Sequence, residues 1–425
     1  MIGRGDAHVL LSEDDIRHVV SEGISACRVS GKRVLAIIPD TTRTAPMPLL
    51  FRAVSECVGP TAERLDFLVA LGTHAPLSEA DYLRHVGIRR AEKDSTYASI
   101  RLFNHCWDNA ENLVTVGTVP ARELSDLTGG LLAEDIPVRL NKRILDYDLL
   151  LVVGPVFPHE VVGFSGGNKY FFPGIAGPEI VHATHWLGAL ITNVRVNGTK
   201  DTPVRAVVNR AASMIPVERR CFAFVAVHEG LKGIYFGTPE EAWSAAADLS
   251  MQVHIVFSDR SYRKVLGIAP AMYDELWTAG KVMYKLESIV EDGGELIIYA
   301  PHITEVSHTH GPAIEAVGYH VRDYFLKQWD KFAGVPRAVL AHSTHVRGTG
   351  TYENGVEKPR IRVTLATGIP ESRCSRINLG YADPSSIDLD AWKNREPEGR
   401  LLVPEAGETL FRLRKASSFE SKSGG

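Results

Sequence analysis

A glycine-rich stretch, residues 158–174, carries the residues whose types and spacing could do chemistry. The apolar run before it, Leu149–Val156, predicts a buried strand that ends where the stretch begins. Gly166 and Gly167 leave the backbone bare, so that N–H groups can approach an anion closely, and Lys169 adds a positive charge. The stretch therefore predicts a loop that holds a phosphate group.

Two histidines flank this loop along the chain. His159 lies ten residues before Lys169, and His185 lies sixteen residues after it. Histidine is well suited to transfer protons near neutral pH, and its imidazole also binds transition metals. The spacing therefore indicates acid–base chemistry or metal binding beside the phosphate loop.

Polar loops follow two earlier predicted strands as well. Asp40 and Arg43 follow the strand Arg33–Pro39, and His74 follows the strand Leu65–Leu71. In an open α/β sheet, ligands bind where the parallel strands end. We therefore expect these side chains to lie in one site with the phosphate loop.

Length and composition limit the classes of protein that fit. A chain of 425 residues with 44% hydrophobic and 23% charged residues predicts a globular protein of more than one domain. The net charge of −4 and the lack of a basic run argue against nucleic-acid binding, and the apolar runs are too short to span a membrane. No signal peptide is evident, and five scattered cysteines favour the reducing cytoplasm over a disulfide framework.

The rest of the chain alternates helices and strands, which predicts two α/β domains. We predict an N-terminal domain over residues 1–265, a C-terminal domain over 266–416 and a disordered tail over 417–425. The predicted helices include Pro46–Cys57, Pro178–Leu190, Thr202–Met214, Glu241–Met251 and a long amphipathic helix over 273–291. The predicted strands of the C-terminal domain include Glu295–Ala300, Ala338–His342 and Arg360–Leu365.

In this order, the motifs resemble those of the lactate racemase family, the nickel-pincer nucleotide enzymes. They are D-x-T-R at 40–43, G-T-H at 72–74, a histidine and a lysine ten residues apart around the glycine-rich loop, a histidine sixteen residues further on, and Lys281 on a later helix. The resemblance implies a two-domain α/β enzyme with the active site in the cleft between a cofactor-binding N-terminal domain and a substrate-contacting C-terminal domain.

The resemblance also implies a cofactor made from nicotinic acid mononucleotide, whose pyridinium ring carries a thioamide and a thiocarboxylate that hold nickel. Lys169 matches the lysine that binds this cofactor covalently, and His185 matches the nickel ligand. His74 and His159 match the two catalytic acid/bases. The remaining matches are cofactor contacts (Asp40, Thr41, Thr42, Arg43, Ser165, Gly166 and Gly167) and substrate contacts (Arg43, Lys281, Trp277 and Thr278).

The activity implied is inversion of carbon 2 of an α-hydroxy acid by reversible hydride transfer to the cofactor. Each enantiomer needs a base near its own hydroxyl group, so two histidines on opposite sides of the substrate are the simplest arrangement. An arginine can hold the substrate carboxylate in a bidentate way. The resemblance implies a small-molecule substrate and cofactor-biosynthesis enzymes as the partners of the protein.

The sequence departs from the lactate-type members at predicted substrate contacts. Those members carry Tyr-Gln where this chain has Trp277-Thr278, and an arginine where it has Ala75. Two long polar side chains are therefore missing, and Trp277 offers a flat face that can stack on sugar C–H groups. We expect a polyhydroxylated substrate, an aldonic acid such as gluconate, with lactate or another small or aryl 2-hydroxy acid as the alternative.

Other interpretations of the same residues stay open. His182 and His185 lie one helical turn apart and could bind zinc, and Asp40 could merely cap a helix. Trp277 could be a core residue, and Lys281 could be an ordinary solvated helix residue. No role is assigned to His302, His308, His310, His342 and His345.

Two other functions compete with racemisation. An NAD-dependent dehydrogenase would carry G-x-G-x-x-G after the first strand, and residues 33–43 contain no such glycines. A nucleotide-binding protein without turnover would need the phosphate loop but neither His74 nor His159.

Overall fold

The computed structural model describes residues 1–407 and 409–414 of the chain. It divides into two compact units: the first consists of Met1–Leu187 and Thr199–Val253, and the second of Gly188–Gly198 and the described residues from His254 onward. Each unit has its own largely parallel sheet with helices between the strands, so the predicted class of two α/β domains is confirmed. In the structure the chain passes from the first unit to the second between Val253 and His254, before the predicted boundary between residues 265 and 266. The predicted tail 417–425 lies outside the described residues.

A seven-stranded sheet organises the first unit. The strands of this unit are β1 (Ile2–Gly5), β2 (Arg33–Ile38), β3 (Arg64–Val69), β4 (Leu102–Asn104), β5 (Leu113–Val119), β6 (Ile136–Asn141), β7 (Leu149–Pro155), β8 (Pro158–His159), β9 (Gly163–Phe164), β10 (Glu218–Val227) and β11 (Gly230–Gly237). The order across the sheet is β1-β11-β10-β7-β2-β3-β4. All pairs from β10 to β4 are parallel, and β1 and β11 add an antiparallel edge.

The order of the strands reverses between β2 and β7. From β2 the chain moves to β3 and β4 on one side, and it later places β7 on the other side of β2. Both strands are apolar and buried along almost their whole length, as expected for parallel strands covered on both faces. Loops that leave such a switch point diverge and open a crevice at the carboxyl ends of the strands. The predicted polar loops follow β2, β3 and β7, so they share this edge.

Helices alternate with these strands along the chain, and one of them lies in the segment 188–198, which belongs to the second unit. They are α1 (Glu13–Cys27), α2 (Met47–Val58), α3 (Glu79–Val86), α4 (Arg90–Lys93), α5 (Ala121–Thr128), α6 (Pro178–Ile191), α7 (Asn193–Val196), α8 (Pro203–Ala212) and α9 (Pro239–His254). The four helices predicted over this part of the chain correspond to α2, α6, α8 and α9. The hydroxyl of Thr202 caps α8 by accepting from the N–H of Arg205 at 3.0 Å, which explains why α8 begins there.

The second unit is built on a five-stranded, all-parallel sheet. The strands of this unit are β12 (Ile255–Ser258), β13 (Tyr262–Ile268), β14 (Val290–Ala300), β15 (Gly350–Glu353), β16 (Val356–Pro359), β17 (Arg362–Thr367), β18 (Gly380–Ala382), β19 (Arg400–Val403) and β20 (Leu410–Leu413). The order across the sheet is β18-β17-β14-β13-β19.

The later helices are α10 (Leu276–Ala279), α11 (Lys281–Leu286), α12 (Gly311–Val317), α13 (Arg322–Leu326), α14 (Trp329–Phe332), α15 (Arg337–Arg347) and α16 (Glu371–Arg376). In the part of the chain that the structure describes, no helix combines the length and the apolar character that crossing a bilayer needs.

Two predicted elements of the second unit are wrong. The predicted helix over 273–291 is two short helices, α10 and α11, which meet at Gly280, where a side chain would strike Val346. The chain has entered β14 by Val290, because pairing with β13 and β17 overrides the local helical pattern. The predicted strand Ala338–His342 lies inside α15, whose residues 338–346 are all buried. A helix that is buried on all sides shows no clear period of 3.6 residues, so its apolar start cannot be told from a buried strand.

Candidate active site

Asp40 lies just past the carboxyl end of β2 and binds the histidine that follows β3. Its Oδ2 lies 2.5 Å from Nδ1 of His74, and its Oδ1 accepts from the N–H (3.1 Å) and the hydroxyl (2.7 Å) of Thr42. A carboxylate only accepts hydrogen bonds, so Nδ1 of His74 carries the proton of the neutral ring. The Nε2 of His74 is therefore left with a lone pair that can take a proton.

Asp40 remains ionised although it is only 5% exposed. Burial alone would raise the pKa of its carboxyl group, but the charges of His74 and Arg43 and the hydrogen bonds from His74 and Thr42 hold that pKa well below its usual range. The carboxylate can thus orient the His74 ring and stabilise its protonated form. Asp40 caps no helix, because α2 begins only at Met47.

Arg43 belongs to the loop after β2, and its side chain reaches the loop after β7. Its Nη1 donates to the hydroxyl (2.7 Å) and the carbonyl (3.2 Å) of Thr42, and its guanidinium lies over the ring of Phe157, 5.6 Å from the ring centroid. Thr41, by contrast, is exposed. Arg43 and Asp40 line one pocket together with Ser165, Gly166 and Lys169. That pocket collects most of the cofactor contacts that the sequence predicts.

His159 is buried in the short ribbon of β8 and β9, and its side chain points back to its own loop. The N–H of Val161 donates to Nδ1 of His159 at 3.1 Å, and Oε2 of Glu160 lies 3.5 Å from the same nitrogen. His159 is 6% exposed. It is therefore held by its local backbone rather than by the carboxylate that holds His74.

The two glycines of the loop are required by backbone shape and by packing. Gly166 has φ = +81° and Gly167 has φ = +59°, conformations that disfavour a side chain. A Cβ atom would lie 2.5 Å from Val156 at the first position and 2.8 Å from Trp243 at the second. Of these two glycines, Gly166 lines the pocket and Gly167 does not. Binding of an anion by the backbone of Gly166 and Gly167 stays a prediction, and Gly166 is the one of the two that faces the pocket.

Arg205, on helix α8, holds the loop from behind. Its guanidinium donates to the carbonyls of Phe164 and Gly166 and lies over the indole of Trp243, 4.1 Å from the ring centroid. Arg205 is 3% exposed, and burial lowers its pKa to about 9 although the Glu240 carboxylate acts in the opposite direction. Because this buried guanidinium donates to two loop carbonyls, it fixes the path of the loop that carries Lys169.

We expect Arg205→Met to loosen this loop without unfolding the protein. Methionine can keep apolar contact with Trp243, but the carbonyls of Phe164 and Gly166 each lose a hydrogen bond from the guanidinium, at a cost of about 1–3 kcal/mol per bond. The N–H of Lys169 still donates to the carbonyl of Gly166. Hydrogen exchange measured by mass spectrometry should show faster exchange in the peptide 158–174. Arg210→Met is the matched control, because Arg210 lies on the same helix and pairs with Glu123. Equal protection of the loop in both variants would show that Arg205 does not hold it.

Lys169 carries an amine whose proton affinity is lowered. Although part of its side chain is exposed, the ammonium is desolvated by surrounding protein and is close to Arg43 and Arg205. Burial first, and then the charge of Arg43, lower the pKa of Lys169 to about 7, against the opposing effect of Glu160. A large fraction of the amine is therefore neutral and nucleophilic near neutral pH.

His185 lies on helix α6 and has its tautomer fixed by the helix backbone. Its Nδ1 lies 2.7 Å from the carbonyl of Val181, which can only accept, so Nε2 keeps a lone pair for a metal. Within residues 1–407 and 409–414, no three His, Cys, Asp or Glu side chains are grouped so as to hold a metal ion. A zinc site built on His182 and His185 thus has no further protein ligands among these residues.

The other predicted substrate contacts belong to the second unit. Thr278, in α10, is buried, and Trp277 beside it is partly exposed. Lys281 begins α11 and lies with Nζ 4.8 Å from the ring centroid of Tyr273. These three residues follow β13, which is the first strand of the five-stranded sheet along the chain.

Trp277 is covered by two of the histidines that the sequence leaves without a role. The ring of His342 stacks on the indole at 3.9 Å and 7°, and the ring of His310 lies 4.5 Å away at 38°. His342 also donates from Nε2 to the carbonyl of Trp277 at 3.0 Å. His342 therefore occupies one face of the indole on which a sugar was predicted to stack, and His310 packs against the same side chain at a tilt. Of the others, His345 is buried edge-on to Tyr284, and His302 donates from Nε2 to the carbonyl of Tyr273. The backbone N–H of His308 donates to the carboxylate of Glu275.

Sequence reasoning missed Arg205 and gave no role to Glu160. Arg205 could have been found, because it shares the buried stripe of α8 with Val208 and Ala212, where a charge needs a reason. Glu160 adjoins His159 in the chain, but adjacency does not reveal which way either side chain points. Its position beside Nδ1 of His159 becomes visible only in three dimensions.

Comparison by sequence connects the chain to one named group of enzymes. Residues 14–197 match the family described as the lactate racemase N-terminal domain. The lactate racemase of Thermoanaerobacterium thermosaccharolyticum is 28% identical over 191 residues, which cover 43% of this chain and 40% of that enzyme. The lactate racemase of Lactiplantibacillus plantarum is 29% identical over 160 residues, 36% of this chain and 33% of that enzyme. The aligned segments thus span less than half the length of these relatives.

Comparison by structure covers nearly the whole chain. A protein from Thermotoga maritima superposes with a TM-score of 0.88 at 32% identity, over 97% of this chain and 100% of that one. The lactate racemase apoprotein from Thermoanaerobacterium thermosaccharolyticum superposes with a TM-score of 0.70 at 19% identity, over 97% and 94% of the two chains. Both units therefore have counterparts in solved structures.

Proposed function

Residues 14–197 match the lactate racemase N-terminal domain, and from this match we propose that the chain is a 2-hydroxy-acid racemase or epimerase of the lactate racemase family that uses a nickel-pincer nucleotide. The observation that carries this proposal is the crevice beside β2, β3 and β7. Asp40, the carboxylate partner of His74, lines one pocket with Lys169, whose pKa is lowered. His159 follows in the loop after β7, and we assign it to the same site. A binding protein without turnover has no need of two oriented histidines and a neutral amine.

The residues present fit the proposed cofactor. Lys169, whose pKa is lowered to about 7, can form a covalent bond through its neutral amine. His185 offers Nε2 as a metal ligand, and the rest of the coordination would come from sulfur atoms of the cofactor. Arg43 and the backbone of Gly166 line the same pocket as Lys169 and can contact the nucleotide. When bound, the cofactor supplies an acceptor for hydride from carbon 2.

The chain's own residues then handle the proton and the carboxylate. His74 takes the hydroxyl proton of one enantiomer at Nε2, while Asp40 stabilises the imidazolium that forms. His159 protonates the alkoxide of the other enantiomer, and the roles exchange in reverse. Arg43 can hold the substrate carboxylate, and Lys281 is assigned to the substrate by its match to the family motif.

His185→Ala is expected to lose nickel while the nucleotide stays attached to Lys169. The metal would be held by one imidazole and by atoms of the cofactor, so loss of the imidazole weakens the metal and not the covalent bond. Metal analysis and intact mass of the purified variant test this, with His182→Ala as the matched control one helical turn away. If His182→Ala loses nickel and His185→Ala keeps it, the nickel ligand is His182 and the assignment of His185 is wrong.

We favour an aldonic acid such as gluconate as the substrate. Ala75 is exposed directly after His74, and Thr278 is short, so neither offers the long polar side chain of the lactate-type members. Stacking of sugar on Trp277 no longer supports this choice, because His342 and His310 cover the indole. These imidazoles are instead the polar groups proposed to bind additional hydroxyls.

The decisive experiment uses enzyme produced together with the cofactor-biosynthesis enzymes. Lactate, malate, phenyllactate and gluconate are incubated in D₂O, and NMR follows both configuration and deuterium content at carbon 2. We expect inversion with the original hydrogen retained and with gluconate faster than lactate. Full deuterium incorporation would contradict hydride transfer and indicate enolisation, and much faster turnover of lactate would contradict the choice of substrate.

A further inference from the structure

The two catalytic histidines are held in different protonation patterns. In His74, Nδ1 faces the Asp40 carboxylate, so Nε2 is free to accept a proton. In His159, Nδ1 accepts from the N–H of Val161, so the proton of the neutral ring must sit on Nε2. His159 in this state can donate a hydrogen bond from Nε2 but cannot take a proton there.

His159 needs a different partner at Nδ1 to act as a base. The proton would have to sit on Nδ1, where it would face the N–H of Val161 unless an acceptor replaced that donor. Oε2 of Glu160 lies 3.5 Å from Nδ1, slightly beyond hydrogen-bond length, and both side chains are largely buried. Hydrogen bonds of catalytic groups are often long before substrate is bound.

We propose that Glu160 is a positioning residue that accepts a hydrogen bond from a proton held on Nδ1 of His159 and so leaves the Nε2 lone pair of that ring available as a base. The inference rests on the proposed function, because it assigns Glu160 a part in the same proton transfer. Glu160 would do for His159 what Asp40 already does for His74. The chain would then carry two carboxylate–histidine pairs, one formed and one poised to form.

Before the cofactor is attached, the carboxylate of Glu160 acts on the ammonium of Lys169 as well as on His159. The carboxylate favours the protonated form of Lys169, while Arg43, Arg205 and Asp40 also act on that amine. Once Lys169 is bonded through a thioamide its charge is gone, and Glu160 is left to His159. Attachment of the cofactor would therefore favour the His159–Glu160 pair.

The first test follows the imidazole nitrogens of the full-length protein without cofactor by ¹⁵N NMR. Signals of His159 are identified by their loss in His159→Gln. We expect the proton on Nε2 at high pH, and a midpoint of protonation that falls by about one unit or more in Glu160→Gln, because an opposite charge is removed. Glu123→Gln, which removes a carboxylate paired with Arg210, should leave the midpoint unchanged.

The second test measures kcat/KM of cofactor-loaded enzyme against pH. We expect Glu160→Gln to lose activity about 100-fold or more, with the acidic limb of the profile shifted, and Glu160→Asp to recover part of it. A loss of activity with an unmoved NMR midpoint and an unmoved limb would show a merely structural role and overturn the proposal. A shifted midpoint with an unchanged rate would also overturn it.

Failure of the proposed function gives a different result. If the loaded wild-type enzyme inverts no 2-hydroxy acid, the assigned reaction is wrong and the positioning role is wrong with it. The NMR midpoint would still report whether Glu160 and His159 are coupled, so the two failures are told apart.

Discussion

Lys169→Ala is expected to abolish attachment of the cofactor and all activity while the fold is retained. Among the described residues that line the pocket, Lys169 alone offers an amine, and its lowered pKa leaves that amine neutral enough to form a bond. Alanine removes the nucleophile and a desolvated charge together. The free energy of unfolding should therefore change little or increase, because a buried ammonium is unfavourable.

Intact mass of protein produced with the cofactor-biosynthesis enzymes is the measurement. The wild type should carry the added mass of the nucleotide, and Lys169→Ala should have the mass of the bare chain. Lys200→Ala is the control, since Lys200 pairs with Asp248 outside the pocket. An adduct that persists in Lys169→Ala would place the attachment point elsewhere and undo the assignment of this loop.

His74→Gln and His159→Gln are each expected to lower kcat/KM by about 100- to 10,000-fold. Inversion needs one group to take a proton and another to return it, so either substitution blocks the full reaction. The loss must be equal in the two directions, because a substitution in a catalyst leaves the equilibrium constant of the reaction unchanged. Initial rates from both stereoisomers test this.

Asp40→Asn extends this expectation to the partner of His74. The amide cannot stabilise an imidazolium at His74 and can hold the ring in the wrong tautomer, so we expect a loss close to that of His74→Gln. Retained activity in His159→Gln, together with loss in His74→Gln, would mean that a single base serves both stereoisomers. The two-base assignment would then be wrong.

The first unit was predictable because its signals are local. Buried parallel strands such as β2 and β7 read as continuous apolar runs, and the loops after them carry the polar residues. Spacing along the chain could not show that His74 is held by Asp40, whereas His159 is held by the backbone of Val161. Those partners depend on how loops from different strands meet.

The second unit was harder to predict for two physical reasons. Helix α15 is buried along residues 338–346, so its apolar segment lacks the polar face that distinguishes a helix. The sequence predicted that the indole of Trp277 is available for stacking, because the two histidines that pack against it lie 33 and 65 residues away in the chain. Contacts between such distant segments leave no mark on the local pattern.

The contacts that hold the lysine loop also set an order of events during synthesis. Arg205 and Trp243 bind loop carbonyls that lie 41 and 78 residues earlier in the chain. Such contacts form only after the intervening segments have been made and closed, which costs entropy that local contacts avoid. A nascent chain that stops short of Trp243 already contains Lys169 but lacks the shaped loop around it. Covalent loading is therefore expected to follow completion of the first unit rather than to accompany translation.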